Sequence, residues 1–311
     1  MGAQHVISDA IRDRLKYVKV SDPDISLERF PDFLIVGPQR TGTTWLHAHL
    51  RYHPDIMLSE PKELFFFSSL KAPDSPRFRS NELAHYLQFF REPLWRVALH
   101  QAICLRRYRQ LYWPKIRGEA TASYAALDRD IIAEISTLKP DLKVILMIRD
   151  PVERAWSHAK KDLVRNRGRR FEEVSPNEFE QFFTDPYQRQ CARVTENIDN
   201  WAAFLRRGHL LVALFDDIDV RPEELLLATM DFLGVRSDRR YISREVRERV
   251  NPTAASKIPD RYRRFLDELL RDDLTRLRER FGLSWSPEAS DLLGRPPTAR
   301  DERFILALHE R

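Results

Sequence analysis

Phe33-Leu34-Ile35-Val36-Gly37-Pro38-Gln39-Arg40-Thr41-Gly42-Thr43-Thr44-Trp45 is the stretch on which the reading of the chain turns. Four consecutive apolar residues halted by a glycine have the composition of a strand buried on both faces, as in a parallel sheet. Thr43 to Tyr52 then has helix-forming content, with Pro54 just beyond it. Strand, glycine loop and helix in that order open a βαβ unit. Glycines at the ends of such a loop let backbone N–H groups close around an anion, and the following helix adds the positive end of its dipole. Thr43 and Thr44, in the first turn, add hydroxyl donors. The spacing is close to a nucleotide-triphosphate loop, but Thr43 stands where that loop has its lysine. The cation is instead Arg40, three residues earlier and inside the loop, where it faces a different end of the ligand.

Outward from this run the pattern repeats. Lys143 to Ile148 is a second buried strand, followed by Arg149-Asp150-Pro151 and a helix from about Val152 to Val164. His209 to Phe215 is a third, followed by a helix from Pro222 to Leu233 closed by Gly234. Shorter strands are expected at Ile56-Met57-Leu58 and around Gly118-Glu119-Ala120. Further helices are expected over Asn197 to Arg207, over Pro259 to Phe281 as one charged, leucine-spaced element, and as a short amphipathic helix over Val6 to Val20. Alternating strands and helices predict an α/β fold, a central mostly parallel sheet flanked by helices. Ligands of such sheets bind beyond the carboxyl ends of the strands, where Gly37 and Arg149 both fall. The expected division is an N-terminal extension over 1–29, one domain over 30–285 and a C-terminal tail over 286–311 that ends in a short helix-like stretch.

Composition narrows the function. The 311 residues are 42% apolar and 32% charged, which suits a folded globule rather than a disordered chain. Fifty-two basic residues nearly balance 47 acidic ones, so the net charge of +5 fits an enzyme that handles anions and predicts no nucleic-acid partner. No stretch approaches the roughly 18 apolar residues of a membrane span. The charged run Met1 to Val20 lacks a signal-peptide core. Cys104 and Cys191 form no disulfide framework and no zinc spacing, so a reducing cytoplasmic location is expected. His47, His49 and His53 have no neighbouring carboxylate or cysteine to complete a site, and no metal is expected.

Arg149 directly follows its strand, and Ser157 lies eight residues on, about two helical turns further. A guanidinium at a strand end and a hydroxyl on the adjoining helix can converge on a second phosphate. The two motifs together, GPQRTGTTWL and RDPVERAWS, resemble the superfamily of sulfotransferases that use 3′-phosphoadenosine-5′-phosphosulfate (PAPS), and its bacterial and carbohydrate-type branch in particular. PKELFFF (Pro61 to Phe67), GEATASY (Gly118 to Tyr124), FLGV (Phe232 to Val235) and Asn251-Pro252 continue the resemblance, which runs from about Phe30 to Phe281.

The resemblance implies a P-loop-like sulfotransferase fold with PAPS as co-substrate and no metal. It implies that Arg40, Thr41, Gly42, Thr43 and Thr44 hold the 5′-phosphosulfate, that Trp45 stacks on adenine, and that Arg149 and Ser157 hold the 3′-phosphate. Glu63 matches the catalytic base of the carbohydrate-type branch. Lys62, Phe66 and Tyr124 are candidate acceptor contacts, Arg40 and Lys62 candidate catalytic cations, and Lys257 and Arg261 candidate 3′-phosphate contacts. Three departures stand out. Arg40 occupies a position where lysine is common, Ala120 replaces a lysine of some glycosaminoglycan enzymes, and Ala192 and Val194 stand where a glycine-tyrosine pair is frequent. The expected acceptor is a small molecule, a lipid or a carbohydrate. The rival readings are a P-loop small-molecule kinase, which would bind ATP with magnesium, and a non-catalytic nucleotide-binding protein.

Overall fold

The computed structural model describes residues 7–248, 257–283 and 305–306. Its centre is a parallel sheet in the order β2-β3-β1-β4-β5-β6. The strands are β1 (Phe33–Val36), β2 (Ile56–Leu58), β3 (Ile116–Ala120), β4 (Lys143–Ile148), β5 (Leu210–Leu214) and the two-residue β6 (Ile305–Leu306). Four of the five expected strands therefore hold: β1, β2 and β4 have the expected bounds, and β3 reaches two residues further upstream than Gly118. The third long strand is trimmed at both ends, leaving His209 and Phe215 outside β5.

Alternation along the strands divides the core into two layers, because successive side chains point to opposite faces. Leu34, Val36, Val144, Leu146, Val212 and Leu214 pack on one side under the helices Arg129–Leu138 and Val194–Ala202. Phe33, Ile35, Ile145, Met147, Leu211 and Ala213 pack on the other, under the helices Thr43–Leu50 and Pro222–Leu233. Each fully buried aliphatic side chain in these layers is worth about 1.5–3 kcal/mol, so the sheet is a stiff platform for whatever its strand ends carry. A third cluster, built on Trp156, Phe179, Phe183, Tyr262 and Leu266, packs the helices Pro151–Ala159, Pro176–Thr184 and Asp260–Leu269 against one another.

β1 lies between β3 and β4, so the chain runs to one side of β1 and then crosses to the other. The strand order reverses between β1 and β4, and a crevice opens at that point beyond their carboxyl ends. Val36 at the end of β1 is in register with Leu146 of β4. This puts the loop that follows β1 beside the Arg149 turn.

Four helices differ from the sequence reading, one of them only in its bounds: the helix expected over Asn197 to Arg207 is Val194–Ala202. The expected N-terminal helix is a single turn, Asp9–Arg12, because the backbone N–H groups of Lys16, Tyr17 and Val18 are drawn onto the Glu134 carboxylate at 2.8–2.9 Å. Pro259 to Phe281 is two helices, Asp260–Leu269 and Arg271–Phe281, with the Arg189 guanidinium donating to the Leu269 carbonyl at 2.5 Å where they part. The helix expected to run to Val164 is α-helical only to Ala159 and continues as a wider π-helical stretch over Lys160–Arg165. Asn251-Pro252 lies outside the described residues, as does the C-terminal tail except Ile305–Leu306, which form a strand on β5 rather than a helix.

Candidate active site

The loop after β1 is shaped by what its glycines touch. A Cβ on Gly37 would lie 2.6 Å from the Met147 carbonyl oxygen, so only glycine lets the loop leave β1 this close to β4. Gly42 has φ 95° and a would-be Cβ 2.4 Å from Ile218 Cδ1, so it is held to glycine by both conformation and space. Thr41 is buried and turns inward, its hydroxyl donating to the Pro38 carbonyl at 2.8 Å. It closes the loop. Gln39 bonds the Tyr187 hydroxyl at 2.7 Å and ties the loop to the helix Pro186–Ala192.

Among the described residues, four non-glycine residues have left-handed φ: Arg40 (80°), Glu63 (57°), Phe65 (56°) and Arg109 (56°). Arg109 ends a helix, where that conformation is ordinary. The other three sit in the loop and in the Pro61–Phe67 segment. Each costs roughly 1–3 kcal/mol, and such strain collects where a side chain is aimed rather than merely packed.

The two sequence motifs meet. Arg40 Nε donates to Ser157 Oγ at 2.9 Å, and Arg149 Nη1 donates to the Arg40 carbonyl oxygen at 3.3 Å. The Arg149 guanidinium lies over the Phe215 ring at 4.3 Å and pairs loosely with Glu153 at 3.9 Å. Asp150 does not pair with Arg149. It caps the following helix, accepting from Val152 N at 2.8 Å, and Pro151 occupies the first turn as expected. A cleft of about 970 Å3 opens beside Arg149, lined among others by Phe215, Lys257, Ile258 and Arg263. Lys257 thus shares a cleft with Arg149, whereas Arg261 pairs with Glu180 at 2.8 Å and does not line it.

Positive charge accumulates around the loop. Burial lowers the Arg40 pKa, and the neighbouring Arg149 and Arg165 lower it further. Lys161 is lowered by burial and then by Arg40, with Lys62 and Arg165 adding to the effect and Glu63 opposing it. Burial, opposed by Glu153 and aided by Arg149 and Arg40, also lowers Lys160. Arg154 is almost fully buried, and its guanidinium bonds the neutral Gln188 amide at 3.2 Å. Cations that depress one another in a partly buried crevice are an electrostatic invitation to an anion. The sequence reading missed the share of Lys161, which the π-helical stretch brings round to Arg40; no spacing rule marks such a stretch in advance.

Lys62 and Glu63 stand together, Lys62 Nζ 3.1 Å from Glu63 Oε1, and both side chains are largely shielded, at 16% and 22% exposure. Lys62 is therefore not a solvated surface lysine. Its field reaches His47, whose pKa is lowered to about 3 by burial and then by Lys62 and Arg51. His47 is neutral and His53 is tied to the Arg236 carbonyl. Among the described residues, no group of three or more His, Cys, Asp or Glu could hold a metal ion.

Three of the expected site residues are buried. Trp45 is only 3% exposed, its indole N–H donating to the Val246 carbonyl at 3.1 Å and its ring 4.7 Å from that of His49. Phe66 is buried against the Tyr86 ring, with centroids 4.8 Å apart. Tyr124 is fully buried and its hydroxyl accepts from Phe67 N at 3.2 Å. Both pack beneath the segment that carries Glu63.

Behind them lies a carboxyl group that the sequence reading passed over. Glu119, wholly buried in β3, accepts from the Tyr86 hydroxyl and from Thr121 Oγ1 at 2.6 Å. Thr121 Oγ1 in turn accepts from Leu64 N at 3.0 Å, next to Glu63. Burial pushes the Glu119 carboxyl up to about 7; the bonds from Thr121, Tyr86 and Tyr124 oppose this, and the Glu63 charge adds to it. A folded pKa above the unfolded one means the unfolded chain loses this proton first. Stability therefore falls as pH rises from the ordinary carboxylate range to about 7, and levels off above it. Glu119→Gln is expected to remove that fall in urea denaturation measured across this window; an unchanged slope in the variant would assign the pH dependence elsewhere.

A family model described as "Sulfotransferase family" matches residues 31–239. The chain is 31% identical over 127 residues to the membrane-associated sulfotransferase kil1 of Dictyostelium discoideum, an alignment spanning 41% of this chain and 22% of that protein. It is 23% identical over 232 residues to the human bifunctional heparan sulfate N-deacetylase/N-sulfotransferase 2, covering 72% of this chain and 24% of that one. The chain thus spans about a quarter of the length of these curated relatives. A solved sulfotransferase from Alicyclobacillus acidocaldarius superposes with a TM-score of 0.54 at 24% identity, over 80% of this chain and 94% of that one, a likeness of fold.

Proposed function

The chain belongs to the sulfotransferase family, and on that footing we propose that it transfers a sulfuryl group from PAPS to a hydroxyl or amine of a small-molecule, lipid or carbohydrate acceptor. The observation that carries this reading is the convergence of Arg40, Arg149 and Ser157 at the crevice between β1 and β4. The donor has anionic groups at both ends, and the site offers two cationic positions: the glycine-bounded loop with Arg40, and Arg149 with Ser157 and the adjoining cleft. The close approach at Gly37, which a Cβ would block, fits backbone donors gathered around an anion.

PAPS, when bound, supplies the activated sulfuryl group. The chain supplies position and charge, which dominate in transfers with loose transition states. Arg40 and Lys62 stabilise negative charge that develops on the leaving oxygen. Glu63 takes the acceptor proton, Lys62 holds its carboxylate in place, and Glu119 fixes the backbone beside it through Thr121. Ala120 stands where some glycosaminoglycan enzymes carry lysine, and a heparan-like acceptor is not inferred.

Arg149→Ala is expected to weaken binding of 3′,5′-bisphosphoadenosine by about 10- to 100-fold, the worth of one or two charge-assisted hydrogen bonds. Calorimetry measures this directly, and unaltered affinity would remove Arg149 from the nucleotide site. The activity itself is tested by incubating the protein and PAPS with fractionated lipid, glycoside and metabolite extracts and seeking, by mass spectrometry, a compound that gains one sulfate. Nucleotide binding with no sulfated product in any fraction would favour the non-catalytic reading.

A further inference from the structure

The longest described helix, Leu94–Tyr108, is turned inside out. Its buried residues are Arg96, His100 and Cys104, and Arg96 reaches inward to donate to the Leu58 carbonyl at 2.6 Å. Its large apolar residues face solvent: Leu94 is 87% exposed and Trp95 66%, with Leu99 and Leu105 also exposed. At 100° per residue, Leu94, Trp95, Ala98, Leu99, Ala102 and Leu105 share one broad face. The chain then folds back along the same helix. Tyr112 points in, its N–H on Gln101 Oε1 at 2.6 Å and its hydroxyl on Glu92 at 2.7 Å. Its neighbours Leu111 and Trp113 are thrown outward, 60% and 76% exposed. Six large apolar side chains of one 20-residue stretch are therefore in water, two of them tryptophans. Isolated exposed leucines are ordinary, but four large apolar side chains sharing one helix face, with two more exposed on the segment that returns along that helix, have the character of a binding surface.

The charges around this face have one sign. Arg91 precedes it, Arg106 and Arg107 lie in its last turn, Arg109 caps it, and Lys115 lies beyond Trp113, all exposed. The one acidic residue between 91 and 115 is Glu92, which is shielded and bonded to Tyr112 and His100. From neighbouring elements, Glu245 faces Arg107 and Asp55 pairs with Lys115 at 3.6 Å.

We propose that this face docks on an anionic lipid surface, with the helix lying in the plane of the headgroups. Leucine and tryptophan on one side with arginine at the margins is the composition of an interfacial helix, tryptophan sitting where hydrocarbon gives way to water. Charge selects the occupant. A second copy packed face to face, parallel or antiparallel, would set arginine against arginine, because Arg91 lies at one end of the face and Arg106, Arg107 and Arg109 at the other, a like-charge contact that opposes association. An anionic membrane neutralises the cluster, each basic side chain near the surface adding to the attraction. No described helix is long and apolar enough to cross a membrane, so the contact is peripheral. The inner side of the same helix braces Glu60, three residues before Glu63, through Arg96 at 3.7 Å. The inference is independent of the reaction proposed above.

The test is sedimentation of the whole protein with vesicles of phosphatidylcholine alone or of phosphatidylcholine and phosphatidylglycerol in equal parts. The protein is expected to sediment with the mixed vesicles, less with the neutral ones, and less as salt is added. The double variant Trp95→Ser, Trp113→Ser is expected to weaken this by about tenfold or more, and Arg106→Glu, Arg109→Glu by a similar factor, since each basic residue contributes roughly 1 kcal/mol. Circular dichroism and bisphosphoadenosine binding check that each variant folds. No sedimentation of the folded parent protein with anionic vesicles overturns the proposal. So does a dimer, detected by analytical ultracentrifugation, that the tryptophan variant dissociates while vesicle binding is absent.

Discussion

Glu63→Gln is expected to lower turnover by about 10²- to 10⁴-fold, the range of general-base catalysis, while binding of 3′,5′-bisphosphoadenosine stays unchanged. Glutamine keeps the shape of the side chain and can still meet the Lys62 ammonium through its amide oxygen, so the left-handed backbone at this position is not disturbed by a change of size. What it loses is the capacity to accept a proton. The measurement is sulfation rate at saturating donor and acceptor, paired with calorimetry on the nucleotide. Full turnover in the variant would remove the base assignment. A parallel loss of nucleotide affinity would instead show that Glu63 shapes the donor pocket.

Arg40→Ala is expected to cost about 10²- to 10³-fold in turnover, as for removal of one pre-positioned stabiliser of developing charge. Its guanidinium is held by the Ser157 hydroxyl and its backbone carbonyl by Arg149, so it is oriented before any ligand arrives. Arg40→Lys is the informative partner. Lysine is common at this position in the family that the sequence resembles, and it restores a charge without the planar fork. Rescue by lysine would identify charge as the contribution of Arg40, and failure of rescue would identify its bond to Ser157. Turnover unchanged in Arg40→Ala would place the catalytic cation elsewhere, with Lys62 the first alternative.

The sheet was legible because its strands obey the simplest rule available. Phe33 to Val36 is apolar throughout, Lys143 to Ile148 is apolar after its first residue, the two are stopped by Gly37 and Arg149, and both have those bounds in the fold. Pro222 to Leu233 was equally plain, with proline in its first turn and Gly234 at φ 76° after its last. Helix Leu94–Tyr108 was not legible, because its buried positions carry arginine, histidine and cysteine while leucine and tryptophan face out. Periodicity assumes the apolar side is the inner one.

The site divides along a similar line. Arg40, Arg149 and Ser157 could be named because they sit at fixed offsets from strand ends, and the parallel register of β1 with β4 then brings them together. Trp45, Phe66 and Tyr124 were placed from likeness of segment, and the packing of each is decided by distant residues: Val246, Tyr86 and Phe67. Glu119 escaped notice because a single glutamate in a short strand gives no sign of complete burial. Its partner Tyr86 comes 33 residues earlier, and no local pattern joins the two.

The central claim is that one crevice, between β1 and β4, grips both ends of a bisphosphorylated adenosine. Isothermal titration of the whole protein with 3′,5′-bisphosphoadenosine, alongside ATP plus magnesium, tests it most directly. The account predicts saturable one-to-one binding of the bisphosphate, at least about tenfold tighter than ATP with magnesium. Negligible binding of the bisphosphate, or tighter binding of ATP with magnesium, would contradict it.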